Sequence, residues 1–266
     1  MTDLKSISAE VERIAREAGA YILEEAGRIS RSDIEVKGLH DFVTYVDQQA
    51  ERMIVERLQP LIPEAGFIVE ENTIRREGKS HRWVVDPLDG TTNFIHGIPV
   101  FSVSIALMQD SEVVLGTVYE PNRGECFSAM AGQGSFLNGE RIHVSRPPSL
   151  RDGLIATGFP YHDYSRMEPF LKMFRWCMEN THGLRRLGSA AVDLAYVACG
   201  RFDAFFEYSL NPWDVAAGSL IVREAGGKVS DFGGGGNYLF GGEIVAAGPS
   251  LYHAFLTQIR DQFKKA

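Results

Sequence analysis

The sequence predicts a mixed α/β (α+β) protein, and three features of the chain support this prediction. An amphipathic helical pattern occupies the N-terminus, strand-like segments separated by turn residues fill the middle, and strands alternate with helices from Leu150 onward. The chain has 266 residues, which suits one large domain or two closely packed halves. We therefore expect a single domain over 1–266, built from two packed halves, 1–147 and 148–266.

The N-terminal part of the chain is predicted to be mainly helical. Residues 4–28 carry apolar side chains at helical spacing with Glu and Arg between them, which is typical of a helix with one buried face. Residues 30–45 mix charges with a glycine, a pattern that fits either a hairpin or a mobile loop. A second helix is predicted from Asp47 to about Leu61, where two prolines end it.

The middle of the chain is predicted to form an antiparallel meander. A short buried strand, GFIVEEN, ends in Glu70 and Glu71, and an apolar run, WVVDPLD, ends in two aspartates. Four strand-like segments follow, FSVSIALMQ, EVVLGTVYEP, ECFSAMAGQG and GSFLNGERIHVS. Turn residues such as Pro-Asn and Asn-Gly separate them, so consecutive strands should run antiparallel.

Strands and helices alternate from Leu150 to the C-terminus. The predicted strands are LIATGF, HGLRRLGS, FDAFFEY and GGEIVAAGP, and the predicted helices are residues 165–180, SAAVDLAYVACG, WDVAAGSLIVREAGG and LYHAFLTQIRDQFKK. The glycine-rich DFGGGGNYLFGG lacks the strand–Gly-x-Gly–helix context of a dinucleotide site, so we interpret it as a flexible loop.

Composition and charge narrow the class of function. The chain carries 35 acidic and 27 basic residues, a formal net charge of −8, which argues against general nucleic-acid or lipid binding. We expect neither a signal peptide nor a membrane span, because no apolar run approaches the ~20 residues that a spanning helix needs. Three widely spaced cysteines without metal-ligand spacing indicate reduced thiols in a cytoplasmic protein.

The stretch WVVDPLDGTTNF at residues 83–94 is the most informative one in the chain. Asp86 and Asp89 stand three positions apart where an apolar strand ends, and their charges repel each other unless something neutralises them. Carboxylates are preferred ligands of hard divalent cations such as Mg²⁺, while Asp-Pro and Asp-Gly are also common in turns. By itself this stretch supports a structural turn as well as a metal site.

Three further features favour the metal site. Gly90 and the residues after it are typical of a helix start or tight turn, whose backbone N–H groups can hold a phosphate. Glu70 and Glu71 end the preceding strand and can supply another carboxylate at the same rim. Asp214 lies in NPWD, which opens a helix. Capping that helix is a sufficient structural role for Asp214, and binding a cation is compatible with it.

The order and spacing of these motifs resemble the inositol monophosphatase family, a Mg-dependent, lithium-sensitive group of phosphatases. The matching segments, which together span essentially the whole chain, are DFVTYVD, EE at 70–71, WVVDPLDGTTNF, GSAAVDLAYVACGRFDAFFE and WDVAAGSLIVREAGG. Asp-Pro-Leu-Asp-Gly-Thr combined with Trp-Asp is a highly specific signature, and the compact length is similar to that of bacterial members. The resemblance implies a five-layer αβαβα sandwich with mixed and antiparallel sheets.

The resemblance also implies roles for individual residues. Two or three Mg²⁺ ions are expected, with ligands at Glu70, Asp86, the carbonyl of Leu88, Asp89 and Asp214. Thr91, together with Asp47 and Glu70, matches the catalytic group that positions the attacking water. The expected substrate contacts are Leu88, Asp89, Gly90, Thr91, Arg185, Gly188, Ser189, Ala190, Glu207 and Asp214, and Lys37 is a further candidate near a third metal ion or the phosphate. A homodimer is implied as well.

The leading function is therefore the Mg²⁺-dependent hydrolysis of myo-inositol 1-phosphate to inositol and phosphate by a metal-activated water. Relatives with the same metal ligands hydrolyse histidinol phosphate, fructose 1,6-bisphosphate or 3′-phosphoadenosine 5′-phosphate, and these substrates stay open. The carboxylate of Glu207 disfavours a second phosphate beside it through like-charge repulsion, whereas it suits a cationic amine such as histidinol. Two other classes remain, a non-catalytic interaction protein that keeps the fold and a structural Ca²⁺ module.

Overall fold

A computed structural model describes residues 3–28, 34–38, 41–160 and 163–264 of the chain. The helices are α1 (Leu4–Glu25), α2 (Tyr45–Leu58), α3 (Thr91–Ile95), α4 (Met167–Asn180), α5 (Ala190–Ala198), α6 (Pro212–Glu224) and α7 (Tyr252–Phe263). The strands are β1 (Ile34–Gly38), β2 (Asp41–Thr44), β3 (Gly66–Val69), β4 (His81–Asp89), β5 (Ser102–Gln109), β6 (Glu112–Glu120), β7 (Glu125–Met130), β8 (Gly134–Leu137), β9 (Glu140–Ile142), β10 (Leu154–Thr157), β11 (Gly183–Arg185), β12 (Ala204–Tyr208), β13 (Lys228–Ser230) and β14 (Glu243–Ala247).

The strands form three sheets. Strands β1 and β2 pair as an antiparallel hairpin, one of the two alternatives predicted for this segment. Strands β3 to β9 make a seven-stranded sheet in sequence order, in which only β3 and β4 run parallel. The five-stranded sheet has the order β11-β10-β12-β14-β13 and mixes parallel with antiparallel pairs. Both predicted sheet types are therefore present.

Successive strand residues point to opposite faces of a sheet and so enter different layers. In β4, Trp83 and Val85 belong to the core shared with α1 and α2, whereas Val84 belongs to the core shared with α5 and α6. In β12, Phe205 joins the same central core, and Phe206 joins the core beneath α4 and α7. The layers are, in order, α1 with α2, the seven-stranded sheet, α5 with α6, the five-stranded sheet, and α4 with α7. This order confirms the predicted five-layer sandwich.

The structure corrects several predicted element boundaries. Helix α1 ends at Glu25 rather than residue 28. Helix α2 begins at Tyr45, before the predicted start at Asp47, because a capping box fixes its first turn. In that box the Val46 N–H donates to Thr44 Oγ1 at 3.1 Å, and the Thr44 N–H donates to Asp47 at 2.8 Å.

Strand β13 was not predicted at all. Its three residues, Lys228–Ser230, lie at the edge of the five-stranded sheet. A segment this short shows no measurable alternation of apolar and polar residues, so the pattern in the sequence could not reveal it. The division into halves at 1–147 and 148–266 stays a prediction.

Candidate active site

Three carboxylates from distant parts of the chain meet at one place. Oxygen atoms of Asp86, Asp89 and Asp214 all lie within 4.8 Å of one another. Asp86 and Asp89 are in β4 and are buried, and Asp214 is in the first turn of α6 and is half-buried. These three residues are the group of possible metal ligands found in the described part of the chain.

An extra residue in β4 places its two aspartates on the same side of the sheet. Asp86 is paired with Ser104 of β5 and Asp89 with Ser102, so three steps along β4 match two steps along β5. In a regular strand, residues three apart point to opposite faces, and the bulge removes that difference. Pro87 lies inside the bulge, where the sheet does not need a hydrogen bond from its backbone nitrogen. The Leu88 N–H then donates to Asp86 Oδ1 at 2.9 Å.

Asp214 has a structural role in α6 as well as a place in the cluster. Asn211, and not Asp214, is the N-cap residue, and Asp214 occupies the third helical position of a capping box. The Asn211 N–H donates to Asp214 Oδ2 at 2.6 Å. Burial, together with the nearby Asp89, raises the pKa of Asp214 to about 7. The capping bond orients the carboxylate that faces the other two.

Asp89 connects β4 to the start of α5. Its Oδ2 accepts hydrogen bonds from Ser189 Oγ at 2.5 Å and from the Ala191 N–H at 2.8 Å. Ser189 is the N-cap residue of α5, where a hydroxyl is favoured whether it belongs to Ser or to Thr. Burial raises the pKa of Asp89 to about 6, and the hydrogen bonds oppose that rise. Ser189 and Asp89 therefore hold each other in place.

Glu70 lies at the end of β3 beside the cluster. It shares a side-chain hydrogen bond with Asp86, and it lines the same pocket as Asp89 and Asp214. Burial raises the pKa of Glu70 and of Asp86 well above the usual range, and the negative charges nearby raise both further. Four carboxyl groups are thus gathered where each makes the ionisation of the others less favourable.

Thr91 and Asp47 form a hydrogen-bonded pair next to the acidic cluster. Thr91 Oγ1 is 3.1 Å from Asp47 Oδ1 and 3.0 Å from the carbonyl oxygen of Leu88. Asp47 is 1% exposed, and its other oxygen accepts hydrogen bonds from the N–H and hydroxyl of Thr44. Burial raises the pKa of Asp47. The pair connects the capping box of α2 to the first residue of α3.

The pocket extends from the acidic cluster towards the five-stranded sheet. Its wall there includes Glu207 of β12, which is 7% exposed, and Gly158, which follows β10. A Cβ atom on Gly158 would overlap the carboxylate of Glu207, so a larger residue at this position would require that carboxylate to move. Burial raises the pKa of Glu207 well above its usual range, and the neighbouring aspartates add to the shift.

Most of the residues proposed from the sequence line this pocket. They are Glu70, Asp89, Gly90, Thr91, Gly188, Ser189, Ala190, Glu207 and Asp214. Asp86, Leu88 and Asp47 lie behind the lining and reach it through hydrogen bonds to Glu70 and Thr91. Lys37 is in β1, and its side chain falls outside the described residues.

Arg185 is not among the residues that line the pocket. It is exposed, and its guanidinium donates to the carbonyl of Leu184. The neighbouring Arg186 lines the pocket instead and stacks 5.1 Å from the ring of Phe159. Adjacent side chains of an extended segment point in opposite directions, so of the two arginines in the Arg-Arg pair one faces the pocket and the other faces away.

Sequence reasoning also missed Asp193, another residue of the pocket wall. The available signal was its position in SAAVDLAYVACG, where it is the only charged residue in an otherwise apolar segment. A charged residue in a fully buried helix requires a partner or a function.

The three cysteines are free, as predicted, and they are not part of the pocket. Cys126 and Cys177 are buried, and burial raises the pKa of each thiol to about 12. Both thiols are therefore protonated near neutral pH and are poor nucleophiles.

Comparison with known proteins shows the family to which the chain belongs. Residues 3–265 match the family described as the inositol monophosphatase family. The chain belongs to the inositol monophosphatase family. Among relatives of this family member, Nus factor SuhB of Pseudomonas aeruginosa is 45% identical over 253 residues, which cover 93% of each chain. Inositol-1-monophosphatase of Mesorhizobium japonicum is 42% identical over 247 residues, which cover 92% of this chain and 93% of the relative.

A solved structure shares the fold of this inositol monophosphatase family member. The extragenic suppressor protein suhB from Bartonella henselae superimposes with a TM-score of 0.91 at 39% identity, covering 98% of this chain and 100% of the other. Within the residues that the structure describes, no helix combines the length and the continuous apolar surface needed to cross a bilayer.

Proposed function

We propose that this inositol monophosphatase family member is a Mg²⁺-dependent phosphatase acting on a small phosphate monoester, with myo-inositol 1-phosphate as the leading substrate. The observation that carries the proposal is the convergence of Asp86, Asp89 and Asp214, whose carboxylate oxygens lie within 4.8 Å of one another. Thr91, which contacts Asp47, lines the pocket beside them. This arrangement supports attack by water on a phosphate held against the cluster.

The donor set fits magnesium. All the side chains of the cluster offer carboxylate oxygens, which Mg²⁺ prefers over nitrogen or sulfur. Burial and mutual repulsion disfavour the charged forms of these carboxylates. A bound divalent cation would offset that repulsion. When bound, Mg²⁺ supplies charge neutralisation for the phosphate and the leaving oxygen and lowers the pKa of a bound water.

Thr91 and Asp47 are placed to handle the proton of the attacking water. The Thr91 hydroxyl has one proton, which it can donate to Asp47 at 3.1 Å while its lone pairs accept a proton from water. Because burial raises the pKa of Asp47, its carboxylate is a stronger proton acceptor than a solvated aspartate. Thr91 therefore orients the water, and Asp47 is the group that receives the proton.

Water is the nucleophile in this proposal, since the side chains around the phosphate are engaged elsewhere. Asp89 accepts two hydrogen bonds from the start of α5, and Asp214 accepts one from the start of α6. An aspartyl-phosphate route needs a carboxylate free to attack. The leaving alkoxide departs towards the Glu207 end of the pocket.

The acidic wall around Glu207 bears on the choice of substrate. A buried carboxylate at this end accepts hydrogen bonds from hydroxyl groups, which favours a polyol leaving group such as inositol. A second phosphate beside Glu207 is repelled, which disfavours fructose 1,6-bisphosphate and 3′-phosphoadenosine 5′-phosphate. Histidinol phosphate carries an amine that a carboxylate accepts, and it remains the main alternative.

Phosphate release from these four substrates, with Mg²⁺ and with a chelator, tests the proposal. We expect release that depends on Mg²⁺, with the highest kcat/KM for myo-inositol 1-phosphate. Faster turnover of histidinol phosphate would reassign the substrate but keep the phosphatase. The absence of Mg²⁺-dependent release from all four substrates would remove the enzymatic function.

The relatives named Nus factor SuhB favour a second candidate function, a Nus factor role. Complementation separates it from catalysis. A strain of Pseudomonas aeruginosa lacking its own SuhB would receive the wild-type chain or the Asp89→Asn variant. If both restore growth equally, the restored role does not require hydrolysis. If neither restores it, the Nus factor role does not extend to this chain.

A further inference from the structure

Asp193 is a buried carboxylate in the wall of the pocket, and the proposed reaction gives it no role. It lies in the first turns of α5, and every neighbour from Ala190 to Ala198 on that helix is buried. Asp193 itself is 1% exposed, yet it borders the pocket together with Glu207 and Arg186. The residue therefore borders the cavity from the N-terminal part of an apolar helix.

Neither carboxylate oxygen of Asp193 has a hydrogen-bond partner in the protein. Other carboxylates around the site do have partners: Asp47 has Thr44 and Thr91, and Asp89 has Ser189 and the backbone of α5. Leaving a buried carboxylate without partners costs more than leaving any neutral polar group without them. A carboxylate with two unused acceptors that borders a cavity indicates that the partner is a molecule which enters the cavity.

The position of Asp193 specifies which part of that molecule it meets. The metal-ligand candidates Asp86, Asp89 and Asp214 define the phosphate end, and Glu207 belongs to the other end. Helix α5, which carries Asp193, packs against strand β12, which carries Glu207, and both side chains border the pocket. The two carboxylates are thus neighbours at the end that receives the leaving alcohol.

We propose that Asp193 is a specificity-determining residue that accepts a hydrogen bond from a hydroxyl group of the leaving alcohol, next to a hydroxyl accepted by Glu207. The inference rests on the proposed phosphatase function and narrows its substrate class. Two adjacent acceptors fit a polyol monophosphate with at least two free hydroxyl groups. Simple aryl or alkyl phosphates leave both acceptors unpaired and are poorer substrates.

Two variants test this role. Asp193→Leu removes both acceptors but keeps the branching of the side chain at Cγ, and Asp193→Asn, which is nearly isosteric, retains one carbonyl acceptor. For Asp193→Leu we expect kcat/KM with myo-inositol 1-phosphate to fall ~10-fold to ~100-fold, because the bound hydroxyl group is left without its acceptor. With p-nitrophenyl phosphate, which has no hydroxyl on its leaving group, kcat/KM should change by less than about 2-fold, because no such bond exists to lose. Asp193→Asn should recover part of the activity on the polyol.

Asp203→Asn is the matched control. Asp203 accepts two hydrogen bonds within the protein, from the Leu154 N–H and from Ser145, and it lies outside the pocket. This variant should lower the melting temperature without changing the ratio of kcat/KM values for the two substrates. If Asp193 had only a structural role, Asp193→Leu and Asp193→Asn would each lower kcat/KM by the same factor for both substrates. That result would overturn the inference.

Two further outcomes are decisive. A greater loss on histidinol phosphate than on myo-inositol 1-phosphate would show that Asp193 recognises an amine, and the polyol assignment would be wrong. Calorimetric titration of myo-inositol 1-phosphate into wild type and each variant measures binding without relying on turnover. It therefore tests the Asp193 contact separately from the proposed reaction. If the wild type releases no phosphate, the proposed function fails. Weaker binding of the same ligand to Asp193→Leu than to wild type would still support the contact, and unchanged binding would refute it.

Discussion

At the scale of single residues, the site gathers acidic side chains in a buried cluster that is unfavourable without a ligand. Asp86, Asp89 and Asp214 lie within 4.8 Å of one another, and burial raises the pKa of each. A protein that needed only a turn or a helix cap at these positions would not need the three charges together. Their mutual proximity therefore indicates a ligand of opposite charge.

Replacing Asp89 by Asn should lower kcat by more than ~10²-fold, because it removes one charge from a metal site whose charge stabilisation is worth several kcal/mol. Phosphate release at saturating substrate and Mg²⁺ measures the effect. Asp110→Asn is the control, since Asp110 is an exposed turn residue with φ +56°, a conformation that asparagine tolerates. Near-normal kcat in Asp89→Asn would exclude Asp89 from the metal site.

At the scale of elements, helix and strand ends bring the functional groups together. The bulge in β4 aligns Asp86 with Asp89, and the capping boxes of α2 and α6 hold Asp47 and Asp214. Asp47, Asp86 and Asp214 thus accept hydrogen bonds from their own elements or caps, whereas Asp89 accepts its bonds from the start of α5. Local structure and function use the same side chains.

Removal of the Thr44 side chain should weaken the cap of α2 and displace Asp47. Thr44→Ala loses the bonds of Thr44 Oγ1 to the Val46 N–H and to Asp47 Oδ2, at 3.1 and 2.6 Å. We expect a free energy of unfolding lower by about 0.5–2 kcal/mol, and a lower kcat, because Thr91 loses the orientation of its partner. Thermal unfolding and phosphate release measure the two effects. Thr44→Ser keeps the hydroxyl and should resemble wild type in both.

Close packing of α6 on the seven-stranded sheet sets the height of Asp214 above β4. A Cβ atom on Gly116 of β6 would lie 2.8 Å from the carbonyl oxygen of Ala217, which is backbone and cannot rotate away. We expect Gly116→Ala to lower the free energy of unfolding by about 1–3 kcal/mol through overpacking. It should also weaken Mg²⁺ binding, because α6 must move.

Gly236→Ala provides the control for that experiment, because a Cβ atom on Gly236 meets nothing within 4 Å. Chemical denaturation and Mg²⁺ titration of both variants make the comparison. Unchanged stability of Gly116→Ala would mean that the α6–β6 contact tolerates more space than its geometry indicates.

At the scale of the whole molecule, the acidic pocket connects stability to pH and to magnesium. The pKa values of Asp89 and Asp214 are raised from 3.8 to about 6 and about 7 in the folded protein. Between pH 3.8, the pKa in the unfolded chain, and the raised pKa values of about 6 and about 7, the folded chain binds more protons than the unfolded chain does. The free energy of unfolding contributed by these groups therefore falls as the pH rises through that window.

The melting temperature of the metal-free protein should consequently be lower at about pH 8 than at about pH 5. Saturating Mg²⁺ should raise it more at the higher pH, because the cation binds deprotonated carboxylates and competes with protons. Thermal scans with Mg²⁺ and with EDTA across this range measure both trends. In Asp89→Asn the metal-free trend should be weaker, and an identical trend would mean that other groups cause it.

The sequence by itself determined the layers, the family and the inventory of candidate ligands. Helical spacing in α1, alternation in β5 to β7 and the Asp-Pro-Leu-Asp-Gly-Thr motif depend on local geometry, which a linear pattern records directly. Boundaries such as the start of α2 at Tyr45 were less accurate, because capping side chains decide them.

Only the tertiary structure decided which side chains face the pocket. It placed Arg186 rather than Arg185 at the wall, reserved the space beside Gly158 for Glu207, and left both oxygens of the buried Asp193 without a hydrogen-bond partner. Each of these facts depends on the angle at which a distant element packs, which the order of residues along the chain does not specify. Proximity across the fold, and not spacing in the sequence, determines whether a carboxylate is a cap, a ligand or a substrate contact.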